Sequence, residues 1–390
     1  MLVIPLVAVA VGILLGIFSG MVPGIHSNTV MSVAASLPLP PEFFLYFTMA
    51  LVAAHLAFQF LPSIFLAIPD DTVVASVLPG HRMALEGRGR EALFVCASSL
   101  LIASALSAIL LPLALFALPA LYRMIGPHTA IALIAASCFL LASERRWRGI
   151  AVAAGVFILS GALGIATLDA PINDPLFPAF CGLFASSGIL LSFTSHRPLP
   201  KQGEGSTRLD FLPHVAAGVL FGMLSDLLPG IAAPAQIAVF ASVIFPTDDA
   251  RKFLALVSSI AASHSIFALG ALLSIGKARE GSLAMLEEIR PLLPSDLPVL
   301  VGVSILSIGV CTLLLMWLSR HVEWFSTLDM KVLNLGILSY LVAMVAIISG
   351  GMGLLVFATA TAVGLLPPLL GVRRTHVMGF IIVPSIMLAL

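Results

Sequence analysis

The sequence predicts an all-α polytopic membrane protein made of two inverted-topology repeats, each of about seven helical segments opened by a broken or re-entrant Pro-Gly hairpin. Three observations carry that prediction. The 390 residues are 60% hydrophobic and only 10% charged, with a mean hydropathy of +1.13, where soluble domains carry roughly 25% charged residues. One apolar motif recurs in both halves. The basic residues fall on alternate loops, in a pattern that reverses sense between the halves.

The apolar segments, in order, are residues 2–21, 24–40, 43–67, 92–120, 124–142, 149–167 and 178–194 in the first half. The second half has 212–228, 230–246, 253–275, 298–319, 332–349, 350–368 and 376–390. Many approach the ~20 residues that a helix needs to span a bilayer. A β-barrel would instead show alternating segments of about ten residues. The apolar N-terminus has no basic flank and no clean small-residue cleavage pattern, so it reads as structure, not as a removable leader. Ser195 to Asp210, SHRPLPKQGEGSTRLD, is polar and rich in Gly, Pro and charge, which marks it as the linker. The chain therefore divides into a first repeat (1–194), a linker (195–210) and a second repeat (211–390).

GILLGIFSGMVPGI, Gly12 to Ile25, aligns without gaps on GVLFGMLSDLLPGI, Gly218 to Ile231. Gly12, Leu14, Gly16, Ser19, Pro23, Gly24 and Ile25 match Gly218, Leu220, Gly222, Ser225, Pro229, Gly230 and Ile231. Further on, Ala53-Ala54-His55 resembles the stretch from Ala261 to His264. A duplication with this content is characteristic of transporters.

Charge decides how the repeats are related. Cytoplasmic loops collect Lys and Arg. With the linker in the cytoplasm, the inside loops hold Arg82, Arg88, Arg90, Arg145, Arg146, Arg148, Arg197, Lys201, Arg208, Arg251, Lys252, Arg320, Lys331, Arg373 and Arg374. Only Arg123, Lys277, Arg279 and Arg290 remain outside. The loop around Arg82 to Arg90 is inside, and its counterpart around Lys277 to Arg290 is outside, which requires inverted repeats. The protein is then a multi-pass plasma-membrane protein with both termini extracytoplasmic.

Within hydrocarbon, a backbone interrupted by Pro-Gly frees polar groups that must find partners in protein or in a watery cavity. Paired breaks from opposite faces put helix ends near mid-membrane, where transporters bind substrate and coupling ions. A helix starting after Pro23-Gly24 points its amides and positive end at that place, which suits an anion. Ser19, Pro23, Gly24, His26, Ser27, Asn28 and Thr29 from the first break are the candidate substrate-binding residues. From the second break come Ser225, Pro229, Gly230 and Gln236. Ionisable groups inside a membrane point to function, so Asp226, His55 and His264 are candidates for ion or proton coupling. Gln59 lies one turn from His55. Asp70 and Asp71 read as helix caps, with a second cytoplasmic site as the alternative. The Gly12/Gly16 and Gly218/Gly222 pairs read as close helix packing.

Several classes are excluded. HExxH, a Gly-x-Ser-x-Gly elbow and a P-loop are all absent from the sequence, so the chain is not read as an enzyme or an ATP-driven pump. Cys96, Cys138, Cys181 and Cys311 stand singly in apolar segments, without metal or disulfide spacing. Zero net charge gives no sign of a nucleic-acid partner. No cofactor is expected beyond Na⁺ or H⁺ as coupling ion.

Over essentially its whole length the sequence resembles the TctA-type family, the large permease subunit of tripartite tricarboxylate transporters, and within it the short prokaryotic relatives. The resemblance rests on Gly12, Gly16, Pro23, Gly24 and Ile25 with their second-half copies. It rests also on LPGHRMALEGRGREAL, Leu78 to Leu93, and on the ending RRTHVMGFIIVPSIML, Arg373 to Leu388. Arg82 stands where the family's cytoplasmic segment has proline, and Ile25-His26-Ser27-Asn28 replaces its Gly-Pro-Thr-like continuation. The resemblance implies a secondary-active permease for an organic anion, a carboxylate, coupled to Na⁺ or H⁺. Its expected partners are membrane lipid and a small anionic substrate. A homodimer, a separate binding protein and a small membrane subunit are left open. The alternative is a translocator of a polyprenyl-phosphate lipid carrier, since a lipid phosphate suits the same helix ends.

Overall fold

The computed structural model describes residues 3–22, 25–67, 74–144, 146–193, 200–227, 233–322 and 330–390. Pro23, Gly24, Asp70, Asp71, Pro229 and Gly230 lie outside the described residues. Every regular element among the described residues is helical.

The first half contains α1 (Val3–Met21), α2 (Ser27–Ala35), α3 (Pro41–Phe58) and its continuation α4 (Phe60–Leu66). Next come α5 (Val77–Leu85), α6 (Gly89–Ile125), α7 (Thr129–Ala142) and α8 (Trp147–Leu168). The half closes with α9 (Leu176–Phe180), a π-helical stretch (Cys181–Ser186) and α10 (Ser187–Ser192). The second half contains α11 (Leu212–Ser225), α12 (Ala233–Ile244), α13 (Ala250–Ile275), α14 (Gly281–Ile289) and α15 (Leu297–Ser319). It ends with α16 (Met330–Leu370), kinked at Gly350 where φ is 65°, and α17 (Gly379–Ala389).

Seven helices among the described residues are long and apolar enough to cross a membrane. The apolar segments 24–40 and 230–246 shrink to α2 and α12, of 9 and 12 residues. At 1.5 Å per residue these reach only about 14 and 18 Å, short of a ~30 Å hydrocarbon core. Proline bounds each of them. Both helices start beyond a Pro-Gly pair, and both stop shortly before a further proline, Pro38 or Pro246, which turns the residue ahead of it away from helical geometry.

Glycines set the course of the opening helices. A Cβ on Gly12 would sit 2.7 Å from the Phe47 carbonyl oxygen, and one on Gly20 would sit 2.6 Å from that of His55. The backbones of α1 and α3 therefore touch, and they run parallel. Going back, the His26 ring lies 4.8 Å from that of His55, while Thr48 Oγ1 donates to Met31 Sδ at 3.3 Å. So α2 returns antiparallel to α3. The second half repeats the parallel pair: Gly218 abuts Ser259 and Gly222 abuts Ser263 of α13. The ring of His214, at the start of α11, meets that of Phe245, just past α12, at 4.8 Å.

The core comprises α3–α4 and α13, which are mainly apolar and almost wholly enclosed. Each half covers the other's core helix: α6 packs on α13, and α15 packs on α3. Outer faces of α6, α8, α15 and α16 expose Phe116, Ile158, Leu313 and Ile347, as a lipid-facing surface would. Helices α6 and α15 hold equivalent places in their halves and run antiparallel. Thr312 Oγ1 donates to the Ala97 carbonyl at 3.2 Å, and an Arg90 guanidinium nitrogen donates to the Arg320 carbonyl at 2.8 Å.

The described part of the linker, 200–210, is bonded into both halves. Gln202 accepts from the Gly89 amide at 2.7 Å and donates to the Ala84 carbonyl at 3.0 Å. Asp210 meets Arg251 at 3.1 Å, at the start of α13.

Candidate functional site

Each half carries a buried Ser–His pair between its opening helix and its core helix. Ser19 Oγ lies 3.0 Å from His55 Nδ1, and Ser225 Oγ lies 3.0 Å from His264 Nδ1. Each serine sits at the last turn of a helix and donates back to a glycine carbonyl, Gly16 at 3.2 Å and Gly222 at 2.6 Å. With its proton so used, each hydroxyl is set to accept from an imidazole Nδ1–H.

The halves then diverge. Asp226 caps α11 and is fully buried, with Oδ1 2.9 Å from His264 Nδ1. Its counterpart one repeat earlier is Gly20, pressed against the backbone of α3, where a side chain has no room. Asp226 and Ser225 approach the same ring nitrogen, so this is no Ser-His-Asp triad, which needs one partner on each nitrogen.

Beyond the first break, His26 is the N-cap of α2. Its Nδ1 accepts from the Asn28 amide at 3.2 Å, and its carbonyl accepts from the Thr29 and Val30 amides at 3.0 and 3.2 Å. Two of the amides expected to face an anion, those of Asn28 and Thr29, are thus taken by His26 in its β-region cap conformation, while the Val30 amide makes the first ordinary helical bond. Side chains are left to line the space. Ser27 is buried against His26 Nδ1 at 3.3 Å. Asn28 Oδ1 accepts from Ser282 Oγ at 2.8 Å, which turns the amide nitrogen of Asn28 to other partners.

A cavity of about 620 Å³ opens beside this break, within the ~300–1,000 Å³ typical of small-molecule sites. Ser19, His26, Asn28 and Thr29 line it, as does Gln59. The sequence reading did not include Ser32, Asn173, Asp174, Phe177 or Met285 in the site, and they line it too. The Asn173-Asp174-Pro175 turn is the signal that could have drawn attention to that loop; Asp174 has a left-handed φ of 48°. The π-helical stretch begins at Cys181, on the cavity wall. Such stretches often mark functional sites.

Of the remaining sequence candidates, Pro23, Gly24, Pro229 and Gly230 fall outside the described residues. Gln236 lies on α12, and its side chain is also outside them. No group of three or more metal-ligating His, Cys, Asp or Glu occurs among the described residues.

Residues 6–379 match the family described as "Tripartite tricarboxylate transporter TctA family". An uncharacterized protein of Methanocaldococcus jannaschii is 27% identical over 397 residues, covering 96% of each chain. No solved structure matches.

Proposed function

Because this chain belongs to the tripartite tricarboxylate transporter TctA family, we propose that it is a secondary-active transporter of an organic anion, a carboxylate, coupled to Na⁺ or H⁺. The observation that carries this reading is the cavity at the first helix break, lined by His26, Asn28, Thr29 and Ser19. The substrate carboxylate binds at the tip of α2, where the side chains of Asn28 and Thr29 donate and the helix dipole adds roughly half a positive charge. Asp226, His264 and His55 serve coupling. As in a tripartite system, a separate binding protein delivers substrate and a small membrane subunit accompanies the permease.

The repeats are read as inverted, with the breaks near mid-membrane. The antiparallel course of α6 and α15 supports this, as do the parallel pairs α1/α3 and α11/α13. Contacts of Arg90 with Arg320 and of Arg251 with Asp210 support a cytoplasmic linker, since they join loops that the basic-residue count assigns to the cytoplasm. Both termini are then extracytoplasmic.

The test is uptake of radiolabelled carboxylates into proteoliposomes, with His26→Ala, Asn28→Ala and Asp226→Asn as variants. Removing a group that contacts the substrate should lower uptake at least tenfold. Unchanged uptake in all three variants rejects the site.

A further inference from the structure

The segment between α13 and α14 touches the end of α11, ahead of the second break, and the start of α2, after the first. Arg279 Nε donates to the Asp226 main-chain carbonyl at 3.0 Å, at the end of α11. Three residues later Ser282 donates to Asn28 Oδ1 at 2.8 Å, at the start of α2. Gly281 rests on the same Asn28 side chain, which a Cβ there would meet at 2.8 Å. One turn further on, Met285 forms part of the wall of the first cavity. A single short stretch of chain thus joins the main chain of Asp226 in one half to the cavity beside the first break in the other.

Asp226 is an unusual group to bury. Neither of its carboxylate oxygens is exposed, and its close charged partner is His264 at 2.9 Å. The groups that face the pair are Ser225 on the same helix, and Arg279 and Glu280 from the segment leading into α14. With one proton on the imidazole or the carboxyl, the pair is neutral overall. With that proton released to water, it carries one buried negative charge, which is costly unless a cation answers it. Arg279 is the cation within reach. His264 Nδ1, 2.9 Å from the carboxylate, gives an exchangeable proton two groups to occupy, so a proton fits the arrangement.

We infer that Asp226 and His264 form a proton-loading site whose charge state is passed to the substrate cavity by the segment from Arg279 to Met285. The inference rests on the transport reading for its purpose, but its physical content does not depend on transport. Loss of the proton strengthens the pull of the pair on Arg279. Movement of Arg279 is carried along the chain to Ser282, and so to Asn28 and the cavity wall. The segment is the physical element that both sites bias, as coupling between separated sites requires.

Two measurements on the full chain in lipid test this. Infrared pH titration should show a carboxylic-acid carbonyl band, or its imidazolium counterpart, that titrates, is lost in Asp226→Asn, and does not move with Na⁺. The cavity is followed through Ser32→Cys, with the exposed Cys138 replaced by serine and Cys181, on the cavity wall, replaced by alanine. Its labelling by a membrane-impermeant maleimide is normalised to the same protein unfolded. The normalised rate should change at least threefold over the pH range of the infrared transition. That response should vanish in Asp226→Asn and in Ser282→Ala, while Ser282→Ala keeps the infrared transition. His264→Gln, which retains size and polarity, should shift the transition if Asp226→Asn does not fold. A pH response that survives Ser282→Ala overturns the inference. So does a rate that follows Na⁺ and ignores pH. Failure of carboxylate uptake in proteoliposomes would reject the transport reading alone, since neither measurement here requires uptake.

Discussion

Glu91 on α6 and Arg251 on α13 come from opposite halves of the chain and meet at 2.9 Å, with side chains only 4% and 9% exposed. Arg251 also holds Asp210 and, at 2.7 Å, the Arg208 carbonyl, so the linker closes over the pair. Removing one partner of a buried ion pair costs about 3–5 kcal/mol when the other charge is left uncompensated, and Asp210 and the Arg208 carbonyl reduce that cost for Arg251. Glu91→Ala should therefore lower the thermal midpoint in detergent more than Arg82→Ala, a side chain 78% exposed in its pair with Glu86. Equal midpoints for the two variants would show that the pair does not clasp the halves.

The two Ser–His pairs predict unequal responses to the same substitution. Ser19→Ala removes the hydroxyl 3.0 Å from His55 Nδ1. Ser225→Ala leaves the Asp226 carboxylate 2.9 Å from His264 Nδ1 as its ion-pair partner. Losing a hydrogen bond costs about 0.5–1.5 kcal/mol, and at His264 the nearby carboxylate offsets part of that loss. Ser19→Ala should be the more destabilising of the two, measured by thermal unfolding of the purified protein. The reverse order would mean that Asp226 does not serve His264 as acceptor.

Asp174 is exposed on the cavity wall and places a negative charge beside the site proposed for an anionic substrate. On that proposal, Asp174→Asn should raise the initial uptake of a transported carboxylate a few-fold at low ionic strength. The gain should shrink as salt is added, since exposed charges are screened within about 10 Å at 0.1 M. A gain that ignores salt would point to a steric effect of the substitution.

Glu144, between α7 and α8, ties that turn to the one before α17. Burial pushes its carboxyl up, but hydrogen bonds from the Arg373 amide at 3.0 Å and from His376 at 2.8 Å outweigh it and hold the group below its ordinary value. The folded protein thus keeps this carboxylate ionised at a pH where the unfolded chain protonates it. The clasp contributes fully above the ordinary value of 4.5 and is lost as pH falls through the lower, folded value. Glu144→Gln should flatten the acid limb of the stability curve below that pH and leave its slope at neutral pH unchanged.

Much of the architecture was legible because hydrocarbon imposes strong constraints on sequence. Composition gave the helices, and one repeated motif located Ser19 and Ser225 at matching helix ends. His55 and His264 emerged from the same repeat. Other features depended on long-range packing that carries no local signal. Asn173 and Asp174 reach the cavity from a distant part of the chain, through the pairing of helices far apart in sequence. The capture of α2's amides by His26 depends on one backbone conformation, and β-region φ and ψ at a histidine cannot be read from its neighbours. The contrast between Gly20 and Asp226 was visible in the alignment, but its meaning lay in how tightly α1 is pressed onto α3.

The cross-covering of the core helices has a consequence for biosynthesis. Helix α3 packs on α15, which starts to leave the ribosome only after about 240 further residues, or roughly 10–50 s of synthesis at 5–20 residues per second. Through that interval α3 and its continuation α4, carrying His55, Gln59 and Ser63 between them, wait in or beside the bilayer without their final neighbour. The early chain must therefore shelter those polar groups within the first half or at the insertion machinery, so the order of translation becomes a constraint on which polar residues the core can hold.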